Sequence, residues 1–530
     1  KMRDLILQLS KSSIYSTNPM QLHTYGLKNS KLDISFFSTR GHKVNENSHD
    51  KNVTEDEYAE FWKHFNARYD DPLVKDVKKT YRWFVEVMGE EKWFERRDNV
   101  LRYFRTLTER LYSSQTDVSL HEKDSRMAFY DDWIAWYLYL AESLADRPTV
   151  DEPAQSSRIL PFFATIGEFS EELKRTKGIE NKLKDLLIKP ENQPDSVLFE
   201  LVVAACYIKN GWEVEFIPES GAGKTPDLLV KKGNDKLYVE CKRLAKVTQY
   251  SENERMEWVK RWHKALPYII SYPYPVFFNV KFKCEVNSTN PDIFLNIVRQ
   301  LYASGDLMQC GVVSCENDEI SVVANLIDMD RVNEHFAKWI VKYPSPQLNY
   351  LLDDNYEPHG SYTMALQAKL CTYSEDEYST INVFADEIRR PFCAKWECIA
   401  DESISKKAKD VKGLLVKAVK QAPSDGKTVI HIGYETLHGP HVEVLRDKKI
   451  TNMLANFDCE GKDIEIIYCH SFQPRLFSDN NWDFAETVRY YTRGVSKKYL
   501  LKRMMLLERE GIVESNDTHW EQDLREMNNK

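Results

Sequence analysis

Apolar residues along this chain recur first at helical and later at strand spacing. From Thr54 the text TEDEYAEFWKHF opens with a Thr at an N-cap position and an acidic first turn, which suits the positive end of a helix. Helical spacing continues through Trp83, Phe84, Trp93, Phe94, Leu101, Tyr103, Phe104, Leu107 and Leu111, then through Trp133, Trp136, Leu138 and Leu140. Residues 1 to about 55 mix short apolar runs with Ser, Asn, Gly and His and read as a strand-and-loop lead-in. Two prolines among polar residues in DRPTVDEPAQ mark a boundary. Residues 1–155 are therefore expected to form a helical, aromatic-rich N-terminal domain with an irregular lead-in.

The next part reads as helix, strand, strand, strand. A helical stretch, IGEFSEELKRTKGIENKLKDLLIK, leads to a buried helix over Ser196 to Lys209, with Gly211 at its end. In WEVEFIP the residues Trp212, Val214 and Phe216 alternate with Glu213 and Glu215. Two apolar strands joined by a KKGND turn follow, in TPDLLVKKGNDKLYVECKR. Residues 252–271 look helical, and Pro275 to Val286 reads as a fourth strand. Between 287 and 400, helical patterns near 291–304 and 331–342 flank the strand-like CGVVSCENDEISVVANL, with QAKLCTYS and INVFADEIRR after them. KKAKDVKGLLVKAVKQA is a lysine-rich amphipathic helix, TVIHIGYET and DIEIIYCHSF are strand-like, and 484–511 is read as a helix. The fold class predicted is α/β: a domain over 156–480 with its core at about 196–286 and an α/β insertion or second lobe at about 287–400, then a C-terminal helical segment over 481–530.

Composition narrows the class. At 530 residues the chain exceeds one ordinary domain. A formal charge of −9 argues against coating nucleic acid through bulk positive charge, while leaving room for a local basic cleft. No apolar run reaches membrane-helix length, so no membrane partner is expected. The ten cysteines are scattered without a CxxC, which suggests reduced thiols in a cytoplasmic setting; a zinc site on Cys310/Cys315 and Cys393/Cys398 lacks nominated further ligands. The opening KMRDLILQLSKSS lacks the apolar run and cleavage site of a secretory signal.

Candidate chemistry concentrates between Pro226 and Lys242. Pro-Asp also occurs at Pro194-Asp195 and Pro291-Asp292, and Glu-x-Lys at Glu172/Lys174 and Glu460/Lys462, so neither string is informative alone. Residues two apart share a face in a strand but diverge on a helix. Glu240 and Lys242 lie in the strand-like LYVECK, where Leu237, Val239 and Cys241 can face the core while both charged groups project together. Glu172 and Lys174 lie in helical text. Asp195 and Asp292 stand at helix starts, where capping suffices, whereas Asp227 begins the apolar strand LLV. Two carboxylates on adjacent strands repel unless a cation neutralises them, and oxygen ligands suit Mg2+ or Mn2+. Such an ion polarises a phosphate oxygen and activates water, and a nearby lysine stabilises the charge that develops. The competing reading is a salt bridge between Glu240 and Lys242 at a solvated strand end.

Pro226-Asp227 with Glu240-Cys241-Lys242 resembles the PD-(D/E)XK, restriction-endonuclease-like nuclease superfamily. The resemblance implies a mixed-sheet core with helices on its faces and a divalent metal held by Asp227, Glu240 and the Cys241 backbone carbonyl. It also implies that Lys242 acts on the attacking water and that Glu200, on the preceding helix, is a fourth site residue. It covers about Ser196 to Val286 and implies a Mg2+-dependent nuclease, DNA favoured over RNA, in restriction, antiviral defence or DNA repair, with a protein partner or homo-oligomer as further possibilities. An RNase, a structure-specific nuclease or a non-catalytic binding platform on the same fold are the alternatives.

Other signals are weaker. SGAGKT mimics the end of a phosphate-binding loop, but Pro218 stands where a glycine is needed and a strand follows in place of a helix. Lys224 nevertheless lies near enough to touch a substrate phosphate, as do Arg243 and Lys246. Lys260, Arg261 and Lys264, or Lys406, Lys407, Lys409, Lys412, Lys417 and Lys420, could line a backbone groove or be solvated helix faces. The aromatics of the first helices are read as core in preference to a base-stacking surface. His431, His438, His441 and His470 match no compact metal spacing.

Overall fold

Asp71 starts the first helix among the described residues: its carboxylate accepts the N–H of Leu73 at 2.7 Å and of Val74 at 3.4 Å, with Pro72 in the first turn, where no N–H is needed. A computed structural model describes residues 70–113, 132–146, 152–188, 194–218, 225–244, 248–337, 339–358, 360–372, 383–477, 482–492, 497–509 and 517–528. The lead-in, the helix start at Thr54, Lys224 with its glycine-rich loop, and Lys246 lie outside the described residues. Helices α1 (Pro72–Met88), α2 (Glu90–Ser113), α3 (Trp133–Asp146) and α4 (Pro153–Glu168) come first, then α5 (Ser170–Lys174), α6 (Ile179–Ile188) and α7 (Asp195–Lys209). Strands β1 (Glu213–Phe216), β2 (Leu228–Lys232) and β3 (Asp235–Arg243) form an antiparallel meander, with Gly233 at positive φ in the β2–β3 turn.

The chain then leaves this sheet. It passes through α8 (Gln249–Ile269), β4 (Val276–Phe282), α9 (Ile293–Ala303), α10 (Asp306–Cys310), β5 (Val312–Glu316) and β6 (Ile320–Leu326). Next come α11 (Met329–Phe336), β7 (Val341–Tyr343), α12 (Pro346–Leu352) and the long hairpin β8 (Ser361–Thr372) and β9 (Val383–Cys398). It returns with α13 (Asp401–Gln421), β10 (Thr428–Glu435), α14 (Pro440–Ala455), β11 (Ile464–Leu476) and β12 (Trp482–Thr492), and α15 (His519–Asn528) follows.

Two mixed six-stranded sheets result, so the chain is α/β. The first has the order β1-β2-β3-β10-β11-β12, in which β10 runs parallel to both β3 and β11. The second is centred on β4, antiparallel to β6 and parallel to β9, with β5 beyond β6 and both β7 and β8 paired to β9. This corrects the expectation that Pro275 to Val286 supplies the fourth strand of the core at 196–286. That place belongs to β10, and the inserted lobe begins at α8, before residue 287. Both β4 and β10 are apolar and buried, so pattern does not tell them apart; only pairing assigns each to a sheet.

A second correction concerns the chain's later part. Residues 482–492, which overlap the first part of the expected helix over 484–511, pair antiparallel with β11 as β12. Trp482, Phe484, Val488, Tyr490 and Tyr491 in this stretch are strand formers. The described helices of the expected helical N-terminal domain over 1–155 share their core with the elements that follow. One apolar cluster runs from Leu73 and Phe84 in α1 through Trp136 in α3 and Phe163 in α4 to Leu201 in α7 and Val239 and Phe472 in the first sheet. The aromatics of α1 to α3 are largely core, with Trp83, Phe84, Trp93 and Trp136 buried and Phe94 exposed.

The first sheet is covered on both faces. α7 packs on the face carrying Val239 and Val429, and α13 covers the other through Val411, Leu415, Ile430 and Ile432. Gly433 in β10 sets how closely α7 approaches: a Cβ there would fall 2.7 Å from the Phe199 ring. Gly433→Ala is therefore expected to lower stability by about 1–3 kcal/mol and to displace α7 together with Glu200, which follows Phe199. A melting temperature equal to that of the wild type would show that the ring moves aside freely.

Candidate active site

The β2–β3 ladder ends at the pair Leu228↔Val239, while β3 continues to Arg243 along β10. Past that point no strand among the described residues pairs with the β2 side of β3. Asp227 sits at this fork: its own N–H donates to Val239 O at 3.1 Å, and its Oδ2 accepts the N–H of Cys241 at 2.7 Å. A carboxylate thus takes up a backbone donor that a longer β2 would have bonded. It is the Cys241 N–H that the structure places on Asp227; the expected use of the Cys241 carbonyl belongs to the proposal below.

Alternation along β3 separates the neighbouring side chains. Leu237, Val239 and Cys241 join the core with α7, and Glu240 and Lys242 pair in register with Ile430 and Ile432 on the opposite face. Glu240 is 0% exposed and is ion-paired to Lys242, whose side chain is partly accessible. On that face a buried carboxylate therefore lies under a largely covered amine. Glu240 Oε2 has no hydrogen-bond partner. Glu200, on α7 and also buried, faces Lys182 Nζ at 2.6 Å from its Oε2.

These groups act on one another electrostatically. Burial, with Asp227's charge added, pushes the Glu200 carboxyl up to about 7 against the pull of Lys182 and Lys242. Burial and Asp227 likewise push Glu240 up to about 8, Lys242 opposing and Glu200 adding. Burial works to lower Lys242, but Glu240 and Asp227 outweigh it and hold the amine above its usual value. The sequence-predicted set Asp227, Glu240, Lys242 and Glu200 is thus brought into one coupled cluster. Lys182 escaped sequence reading, because a lysine beside the apolar stripe Ile179, Leu183, Leu186 and Leu187 reads as an ordinary flank of helix α6.

Among the described residues, no three His, Cys, Asp or Glu side chains stand as a ready coordination shell. The donor set nevertheless fits a hard divalent cation. All three side chains are carboxylates, one buried oxygen lacks a donor, and the ionised forms of Glu200 and Glu240 are disfavoured until positive charge is supplied.

Several of the basic residues already have acidic partners, and the side chains of Arg243, Arg261 and Lys407 among them are buried. Arg243 turns to the core face, its side chain 4% exposed, where it pairs with Glu435 at 2.9 Å and lies over Phe162 and Phe472. Its place in β3, one residue past Lys242, dictates that face. Arg261 is buried against Thr289 and Glu257, Lys260 pairs with Glu257, and Lys264 pairs with Asp292. Lys407 is buried on Glu254 at 2.8 Å and Lys406 pairs with Glu285, joining α13 to the inserted lobe. Lys409, Lys412, Lys417 and Lys420 remain exposed on α13. Asp292 stands at the N-cap of its helix without a side-chain cap hydrogen bond, and Asp195, in the first turn of its helix, accepts the Tyr137 hydroxyl.

The histidines separate in the same way. His431 Nδ1 and His470 Nε2 are 3.0 Å apart, and His470 Nδ1 is 2.9 Å from Glu486 Oε1. Both rings are buried, so they form a core polar chain, while His441 is exposed.

The raised carboxyls carry a stability signature. Glu240 in the folded, ion-free protein titrates near 8, above its ordinary 4.5. Its ionisation therefore costs stability progressively as pH rises from about 4.5 to about 8, and the cost is constant above that. In EDTA, Glu240→Gln is expected to stabilise the fold by about 1–3 kcal/mol at pH 8.5 and by much less at pH 5, as read by denaturant melts. Equal effects at both pH values would contradict the raised carboxyl. Comparison of the chain with known protein families, characterised proteins and solved structures finds no match.

Proposed function

We propose that the protein is a divalent-metal-dependent nuclease of the restriction-endonuclease-like type, cleaving phosphodiester bonds and most simply acting on DNA. The observation that carries the reading is the charge-coupled cluster of Asp227, Glu240, Lys242 and Glu200 at the fork between β2 and β3. Support comes also from the order of elements around the first sheet, where helix α7, the β1-β2-β3 meander, helix α13 and the parallel β10 follow as helix, three strands, helix and strand. Mg2+ or Mn2+ would supply Lewis acidity and an activated water when bound. Asp227, Glu240 and Glu200 would hold it, with the Cys241 carbonyl as a further oxygen.

The chain's own groups divide the remaining work. Lys242 keeps its proton at neutral pH, so it serves as a cation and hydrogen-bond donor toward the nucleophile and the phosphoryl oxygens, and not as a base. Asp227, tied to the Cys241 N–H, is held in place at the strand fork. Burial of Glu240 keeps bulk water from competing for its oxygens. No helix among the described residues is long and apolar enough to cross a membrane. A cytoplasmic setting, a protein partner or self-association, and a role in restriction, antiviral defence or repair belong to the same proposal.

Cleavage of plasmid, linear duplex, single-stranded DNA and RNA with Mg2+ or Mn2+ tests it. Wild type should cut at least one of these, and Asp227→Ala and Lys242→Ala should each lose about 100-fold or more. Equal cutting by all three proteins would sink the site. Because Glu200 and Glu240 hold protons near neutrality without an ion, Mn2+ binding should release protons and tighten as pH rises from about 6.5 to 8.5. Calorimetry in buffers of differing ionisation enthalpy measures this, and pH-independent affinity would argue against these carboxyls as ligands.

A further inference from the structure

Lys182 is the one charge of the cluster still without a task. Its helix is placed with some care. Gly178, just before α6, has φ 89°, and a Cβ there would fall 2.5 Å from Phe216 O, so only glycine lets the helix start lie against β1. The Phe216 N–H donates to Lys177 O at 2.9 Å, and the next N–H, of Ile217, donates to Asp227 O at 3.0 Å. The backbone at the start of α6 is thereby connected through β1 to the backbone of Asp227. One turn in, Lys182 flanks the buried stripe of α6, its side chain 13% exposed and its amine on Glu200.

Charge counting shows what a second lysine does here. Ionised Asp227, Glu200 and Glu240 against Lys182 and Lys242 leave one negative charge in excess. A divalent ion turns that into one positive charge, the complement of a single phosphodiester. Without Lys182 the loaded site would be neutral, and a bound phosphodiester would leave it negative.

Resting on the nuclease reading above, we propose that Lys182 is a substrate-binding lysine, which moves from Glu200 to a non-bridging phosphate oxygen once the carboxylates hold the ion. A purely structural partner of Glu200 would behave differently: its loss would loosen Glu200 and weaken ion binding. The charge argument predicts the reverse for the ion and a loss for the substrate alone.

Full-length wild type, Lys182→Met and Lys182→Arg are compared by Mn2+ calorimetry, by binding of a fluorescein-labelled oligonucleotide in Ca2+, and by steady-state cleavage. The oligonucleotide is of the polymer type that wild type cuts. For Lys182→Met, Mn2+ affinity should be equal to or tighter than that of wild type. Oligonucleotide Kd and KM should rise about ten- to a hundredfold, with kcat within a few-fold. Lys182→Arg should restore most of the affinity. A parallel fall in Mn2+ and oligonucleotide affinity, or an unchanged oligonucleotide Kd, overturns the assignment while the nuclease reading stands. Wild type that binds neither Mn2+ nor oligonucleotide overturns the nuclease reading, and Lys182's role with it. Should Lys182→Met fail to fold by its melting curve, Lys182→Gln takes its place in every measurement.

Discussion

The parting of β2 from β3 after Leu228↔Val239 is the constraint from which the site follows. Were β2 to continue, the Cys241 N–H would find a strand partner and Asp227 would have no backbone donor to fill. Because β3 goes on along β10, it stays held by that ladder while no described strand pairs with its other edge. The fork thus combines fixed geometry with unfilled polar capacity, and the chain places three carboxylates and two lysines around it. Such a concentration of buried charge costs stability, and the raised Glu200 and Glu240 carboxyls reflect that cost.

A second buried charge system holds the scaffold behind the fork. Glu435, at the end of β10, is paired with Arg158 from α4 and Arg243 from β3. Burial works against its ionisation, yet the two guanidinium groups hold it below the usual carboxylate range. Arg158 also approaches Asp195 at the start of α7. The helical part and the strands carrying the site are therefore locked by ions as well as by their shared apolar core. Removing one member of such a group leaves a buried charge uncompensated, typically at a cost of about 3–5 kcal/mol.

The inserted lobe has its own sheet and apolar clusters, and it is tied to the first sheet's cover by pairs between α13 and the lobe, Lys407 with Glu254 and Lys406 with Glu285. Two of the lysines that look like a basic groove in the sequence, Lys406 and Lys407, are spent on this joint, with partners from a segment some 120 to 150 residues earlier.

Sequence by itself determined much of the local structure. The turn at Gly233, the strand alternation that separates Glu240 and Lys242 from Cys241, and the apolar helix bearing Glu200 are all dictated by residue order, because period and turn chemistry act over a few positions. It also singled out Asp227, since only that Pro-Asp leads directly into an apolar strand beside the one bearing Glu240. Tertiary structure decided the rest. Which buried strand sits beside β3, β4 or β10, depends on pairing between residues far apart, which apolarity cannot encode. Whether Arg243 meets solvent or Glu435 depends on what covers its face. Lys182 became part of the cluster only because α6 is fastened to β1, an approach that the left-handed backbone at Gly178 allows and that no pattern within α6 announces.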